Sequence, residues 1–270
     1  EIHDKISDTN LSDRMEDLLT SDVFSSFRYL PVNRGLMPFL QTAKTIDRSL
    51  FTLPMDVQNV YWSFWPSLHD RDNRVCEPDV VIGLENAEHQ IHLVMIEAKY
   101  HSGKSSVEGE DDPGEKTDSP RDQLARELVC LQRVTSKDLE WDSKLNIVSR
   151  DLVYVTEDVA LPHTDIAESL AACRGTPVPI IYWTSWRFLP RVIREQRNEL
   201  SDASQRNILC DLWKLLTHKE LVMFEGIEPL TKLFDVHDFV FYSSVERIGL
   251  YQWPDFTRLT LPDVLFQYER

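Results

Sequence analysis

The sequence predicts an α/β fold in which a central mixed sheet is flanked by helices and followed by a helical and irregular C-terminal extension. Three observations carry this. Apolar runs of strand length recur at 58–65, 74–84, 90–100, 151–156 and 179–184. Segments with helical apolar spacing lie before, between and after them. A chain of 270 residues, 42% hydrophobic and 27% charged, is large enough to bury a core without disulfides or metal staples.

In chain order, Leu11, Met15, Leu18, Leu19 and Val23 sit at helical spacing, with Ser12 or Asp13 available as a cap. Gln58 to Trp65 reads as a strand ending at Pro66. A polar turn from His69 to Asn73 leads into a second strand, Arg74 to Leu84, which Pro78 bends or confines to an edge. The third strand, Gln90 to Tyr100, is the clearest. From Ser102 to Pro120 the composition turns to Gly, Ser, Pro and acids, including Glu108, Glu110, Asp111 and Asp112, which predicts a disordered acidic loop over about 102–120. A helix with Leu124, Leu128 and Leu131 inward follows, then a strand from Asp151 to Thr156, a short helix from His163 to Ala172 and a buried strand from Pro179 to Thr184. Two more helices start near Pro190 and Asp202, the second with Ile208, Leu209, Leu212, Trp213, Leu215 and Leu216 as its apolar stripe. The expected organisation is a core over residues 1–200 and an extension over 201–270 packed on it.

Composition excludes several classes. Cys76, Cys130, Cys173 and Cys210 form no C-x-x-C pair, which argues against a structural zinc site and a secreted disulfide framework and points to a reducing cytoplasm. No apolar run approaches the roughly 20 residues of a membrane span, and Glu1-Ile2-His3-Asp4 lacks the basic and apolar regions of a signal peptide. Gly103-Lys104-Ser105 lacks the glycine spacing of a phosphate loop. A net charge of −16 gives no general attraction to polyphosphate, so any nucleic-acid function has to rest on a local basic surface, on metal ions or on a basic partner.

One constellation stands out. Alternation along the third strand places Ile91, Leu93, Met95, Glu97 and Lys99 on one face, so an apolar face ends in two charges about 6–7 Å apart. Burying them requires water, a metal, or Asp79 and its neighbours as compensation. Asp79 lies 18 residues before Glu97 across an expected hairpin. Two carboxylates at about 4 Å repel by a few kcal/mol at a surface dielectric, and a divalent cation removes that penalty. Mg²⁺ or Mn²⁺ is the expected ion.

Pro78-Asp79 followed by Glu97-Ala98-Lys99 resembles the motif of the PD-(D/E)XK nuclease superfamily, the restriction-endonuclease-like fold. The Pro-Asp dipeptide recurs at 254 and 262 and an acid-x-Lys triplet at Asp142-Ser143-Lys144, but only the pair at 79 and 97 puts both halves on predicted strands in the family order. The resemblance implies that Asp79, Glu97 and the Ala98 carbonyl hold the metal, and that Lys99 positions the attacking water or helps deprotonate it. It implies a further carboxylate from the first helix, for which Glu16 fits, about 20° from Val23 in helical projection. It also implies a glutamine on the helix after the motif, for which Gln123 is the match. The plain alternative is a surface hairpin whose Glu97 and Lys99 form an exposed pair worth under about 1 kcal/mol.

Arg187, Arg191, Arg194 and Arg197 recur every three or four residues and predict a basic ridge on the helix near Pro190 that grips phosphates, or else a solvated face pairing with Glu195 and Glu199. Trp62, Trp65, Trp183 and Trp213 lie in apolar runs and are expected in the core. The function implied is a metal-dependent nuclease acting on nucleic acid, DNA first, beside a protein partner or as a homo-oligomer, of the kind found in prokaryotic defence and restriction systems. Its rivals are a catalytically silent subunit of the same fold that binds or scaffolds, and an acidic protein that mimics DNA. On this view Lys99→Ala abolishes hydrolysis and leaves folding nearly intact.

Overall fold

The fold is that of a computed structural model, which describes residues 11–52, 56–69, 75–101, 122–173 and 180–223. The expected acidic loop and most of the extension lie outside the described residues. The chain divides into two compact units, 1–223 and 224–270. Helix α1 (Leu11–Arg28) leads through a 3₁₀ turn (Val32–Arg34) to the short α2 (Leu36–Leu40), neither of which the sequence announces. Strands β1 (Asn59–Phe64), β2 (Leu68–His69), β3 (Val75–Cys76), β4 (Val80–Glu85) and β5 (Gln90–Ala98) follow, then α3 (Gln123–Leu131), β6 (Asn146–Thr156), α4 (His163–Ala172), β7 (Ile181–Ser185), α5 (Leu189–Arg197) and α6 (Ala203–His218).

Five strands form one mixed sheet in the order β1-β4-β5-β6-β7. β4 runs antiparallel to both β1 and β5, while β5, β6 and β7 are parallel to one another. The predicted strand at 74–84 breaks at Pro78: β3 pairs with β2 in a separate two-stranded ribbon, and β4 starts at Val80. A proline has no N–H for the ladder, so the main sheet begins only after it.

Helices cover both faces, which explains why β4 and β5 read as continuous apolar runs. On one face Leu19, Val23, Phe24 and Phe27 of α1 pack with Val80, Ile82, Val94, Ile96 and Val153 and with Leu189 and Ile193 of α5. Phe39 stacks on Trp186 at 6.0 Å between ring centroids. On the other face Leu124, Leu128 and Leu131 of α3 and Ile166 of α4 cover Val81, Leu93, Met95, Leu152 and Trp183. Leu18, expected on the buried stripe of α1, is instead exposed, and Phe24 and Phe27 take that role. The helix assigned by sequence to the extension, α6, contributes Leu209, Leu212 and Leu216 to the first core, so the compact unit runs to 223 rather than 200.

Two helices carry the caps their sequences offer. Asp122 accepts the Ala125 N–H at 2.9 Å, and Asp202 accepts that of Gln205 at 2.8 Å. The β7 edge is closed by the segment at Lys44, whose N–H and C=O bond the Trp183 backbone at 2.9 and 2.8 Å. Of the four tryptophans expected inside, Trp183 is buried, whereas Trp62, Trp65 and Trp213 are half-buried. All four cysteines are free thiols, and Cys76 and Cys130 lie buried in the second core. Among the described residues no helix is long and apolar enough to cross a membrane.

Candidate active site

The hairpin of β4 and β5 sets the first two site residues. Val80 pairs with Ile96, so the register continued by one residue brings Asp79 opposite Glu97. Asp79 is locked on both sides: its carbonyl accepts the Trp65 N–H at 2.9 Å, and its Oδ2 accepts the Ala98 N–H at 2.8 Å. Glu97 is only 2% exposed, because β5 is the middle strand and α3 lies over this face. Of the three compensations its burial called for, the structure supplies protein neighbours.

Those neighbours come from three elements. Lys99 leaves the end of β5 with its N–H on the Val155 carbonyl at 2.7 Å. Its Nζ then meets Glu97 Oε1 at 2.7 Å and Glu16 Oε1 at 3.1 Å. Glu16, from the buried side of α1, uses its other oxygen to accept the Tyr100 N–H at 2.9 Å. Gln123, the first residue of α3, donates its Nε2 to Glu97 Oε1 at 2.6 Å and to Glu127 Oε1 at 3.2 Å. Residues distant in sequence thus meet at one place, with Asp79, Glu97, Lys99, Glu16 and Gln123 all brought together.

Sequence reasoning missed Glu127, which is 2% exposed and lies against Glu97. The signal was present: Glu127 is three residues after Leu124 and four before Leu131, an acid on the inward face of α3. Its Oε2 is buried without any hydrogen-bond partner.

The electrostatics follow from burial. Burial and the charge of Glu97 hold the Asp79 carboxyl well above the usual carboxylate range, partly offset by Lys99 and the Ala98 N–H. Burial and the adjoining Glu97 carboxylate raise Glu127 in the same way. Burial alone would depress Lys99, but the carboxylates of Glu97, Glu16 and Asp79 outweigh it and push the ammonium above its ordinary range. Lys99 is therefore a cation at neutral pH. In this state it is a hydrogen-bond donor to Glu97 and Glu16.

No protein-family model, curated protein or solved structure matches the chain. What the site can do rests on its own donor set. Among the described residues no three His, Cys, Asp or Glu side chains stand as a ready-made ion cage. The Lys99 ammonium lies between Glu16 and Glu97, and the Gln123 amide between Glu97 and Glu127. The residues nevertheless fit the dication implied by the motif. Four carboxylates, hard oxygen donors of the kind Mg²⁺ and Mn²⁺ select, surround one ammonium, and Oε2 of Glu127 is buried with no N–H or O–H donor from the described residues, beside the Glu97 carboxylate.

The basic ridge is smaller than expected. Arg187 is half-buried in the 3₁₀ turn before α5, and its guanidinium donates to the carbonyls of Glu157 at 2.7 Å and Glu220 at 2.8 Å. It precedes the helix and ties two segments of the fold together, so it does not belong to the ridge. Arg191, Arg194 and Arg197 are exposed on α5, and Arg191 pairs with Glu195 at 2.9 Å. The competing expectation, a solvated face with internal pairs, thus holds at Arg191. His101 follows the motif but bonds Glu157 at 3.2 Å, and His92 faces Ser149 at 2.9 Å.

Proposed function

We propose that the chain is a metal-dependent nuclease that hydrolyses phosphodiester bonds, with DNA the favoured substrate and Mg²⁺ or Mn²⁺ the cofactor. The single observation that carries this is the contact of Lys99 Nζ with both Glu97 and Glu16 beside an Asp79 locked to the Ala98 N–H. That is the set the PD-(D/E)XK resemblance requires at one place.

Asp79, Glu97 and Glu16, with the Ala98 carbonyl, are the residues that would hold the ion. When bound, it lowers the pKa of a water and stabilises the charge that builds on the phosphoryl oxygens. The chain does the rest by holding groups still. Glu16 and Glu97 take two of the three N–H donors of Lys99, which leaves one to orient the attacking water or a phosphoryl oxygen. In the cation-free protein Gln123 fixes the Glu97 carboxylate. Arg191, Arg194 and Arg197 are the phosphate contacts proposed for the flanking strand.

A second reading, a silent subunit of the same fold that binds without cleaving, is favoured by the ammonium that fills the space between Glu16 and Glu97. One assay separates the two. Wild type and Glu97→Gln are incubated with supercoiled, linear and single-stranded DNA in Mn²⁺. Cleavage by wild type that falls at least about 100-fold in the variant supports the nuclease. Intact DNA in every arm, or equal cleavage by both proteins, overturns it.

A further inference from the structure

The carboxylate most in need of a partner is not one that the motif names. Glu127 enters the cluster from α3, four residues after Gln123. It is as buried as Glu97 and lies against it. One of its oxygens accepts from Gln123 Nε2, and the other, Oε2, is buried without a partner. A bare carboxylate oxygen inside a protein costs several kcal/mol unless a cation or a donor reaches it. Without a cation, Glu127 and Glu97 in contact relieve that cost by sharing a proton, a place that a divalent ion can take.

Gln123 shows where such a cation would go. Its amide NH₂, the partly positive end of a neutral group, reaches Glu97 Oε1 at 2.6 Å and Glu127 Oε1 at 3.2 Å. An amide answers only a fraction of the charge on two carboxylates, and it leaves Oε2 of Glu127 unserved. The Lys99 ammonium, which reaches the same Oε1 of Glu97 at 2.7 Å, is already shared with Glu16.

We propose that Glu127 would join Glu97 as a ligand of the divalent cation, and that the Gln123 amide holds that seat in the cation-free protein. The inference rests on the metal-dependent nuclease reading for the identity of the ion, but not on cleavage. It assigns to α3 a ligand role that Pro78-Asp79 and Glu97-Ala98-Lys99 leave open. Binding displaces the Gln123 NH₂ from between the two carboxylates and makes the start of α3 the element that responds to the ion.

The test is Mn²⁺ binding by the full chain, followed by titration calorimetry after chelator treatment, with the Ca²⁺-induced rise in Tm as a second readout. Wild type, Glu127→Gln and Glu97→Gln are compared. The expected result is that Glu127→Gln binds Mn²⁺ at least about tenfold more weakly and loses the Ca²⁺-induced rise. Its cation-free Tm should be equal to or above that of wild type, because an amide replaces a buried carboxyl that is costly to ionise beside Glu97. A purely structural Glu127 would do the reverse, lowering the cation-free Tm and leaving affinity alone. Affinity within twofold of wild type overturns the proposal. If Glu127→Gln does not fold, Glu127→Asp keeps the charge, retracts it by one methylene and is held to the same tenfold criterion. If wild type binds no Mn²⁺, both proposals fall. If Glu97→Gln loses binding and Glu127→Gln does not, this one falls alone. If Glu127→Gln loses binding but wild type cleaves no DNA, only the nuclease reading falls.

Discussion

Lys99 is the residue on which the charge balance of the site turns. Its ammonium touches Glu97 and Glu16 and is felt by Asp79 and Glu127, all of them buried. The exposed hairpin pair that sequence alone allowed would lose under about 1 kcal/mol on mutation. A buried ammonium is different, because its removal leaves carboxylates uncompensated at a cost of about 3–5 kcal/mol. Lys99→Met is therefore expected to lose about that much stability in chelator at pH 8, contrary to the expectation that the fold survives nearly intact. The sign of the pH effect follows from the raised carboxyl groups. Asp79 and Glu127 take up protons above the usual carboxylate range, so at pH 5 the loss should shrink. Urea unfolding of both proteins at the two pH values measures it, and a variant as stable as wild type at pH 8 would refute the balance described.

At the level of elements, β6 shows both what the sequence discloses and where it goes silent. The strand was legible only from Asp151, because Ser149, Arg150 and Asp151 interrupt its apolar pattern. It actually starts at Asn146, and a bulge at Val148 lets Ser149 pair with His92. Helices α3, α4, α5 and α6 are readable from the periodicity of a buried stripe, and the β4–β5 hairpin from apolar runs buried on both faces. The Asp79, Glu97 and Lys99 site was readable for the same reason: charges ended an otherwise apolar strand. Glu127 carries the spacing of the inward face of α3, but an acid there reads as solvated until the sheet beneath it is known, and α2 lacks the length to show a period. Asp151 is the second misfit of β6. Burial pushes its carboxyl up to about 6, above the 3.8 of an unhindered side chain. Folding therefore takes up a proton between pH 3.8 and about 6, and the stability held below that window is lost as pH rises through it. Asp151→Asn is expected to be more stable than wild type by about 1 kcal/mol at pH 7.5, after allowance for partial exposure, and no more stable at pH 4. Thermal unfolding across that range checks it, and a gain independent of pH would show that Asp151 carries no titrating penalty.

For the molecule as a whole, 45 acidic against 29 basic residues oppose any polyanion at long range. Nucleic-acid binding must therefore come from a short-range patch, and α5 offers the one the sequence singled out. Its inner face, Leu189, Val192 and Ile193, is anchored in the core, so Arg191, Arg194 and Arg197 are presented from a rigid element. Arg187, one turn earlier, is spent on Glu157 and Glu220 and adds nothing to that patch. Arg191, Arg194 and Glu195 are all exposed, and exposed pairs such as Arg191–Glu195 are worth about 0.3–0.5 kcal/mol each, so reversing both arginines to glutamate should change Tm little. If both arginines contact phosphates, DNA affinity should drop and the slope of log K against log salt should flatten by about 2, close to one phosphate per arginine. Fluorescence anisotropy between 50 and 200 mM salt, with Ca²⁺ in place of Mn²⁺ to block turnover, gives both numbers. An unchanged slope would move the contact surface off α5 and leave an acidic protein dependent on a basic partner to meet its substrate.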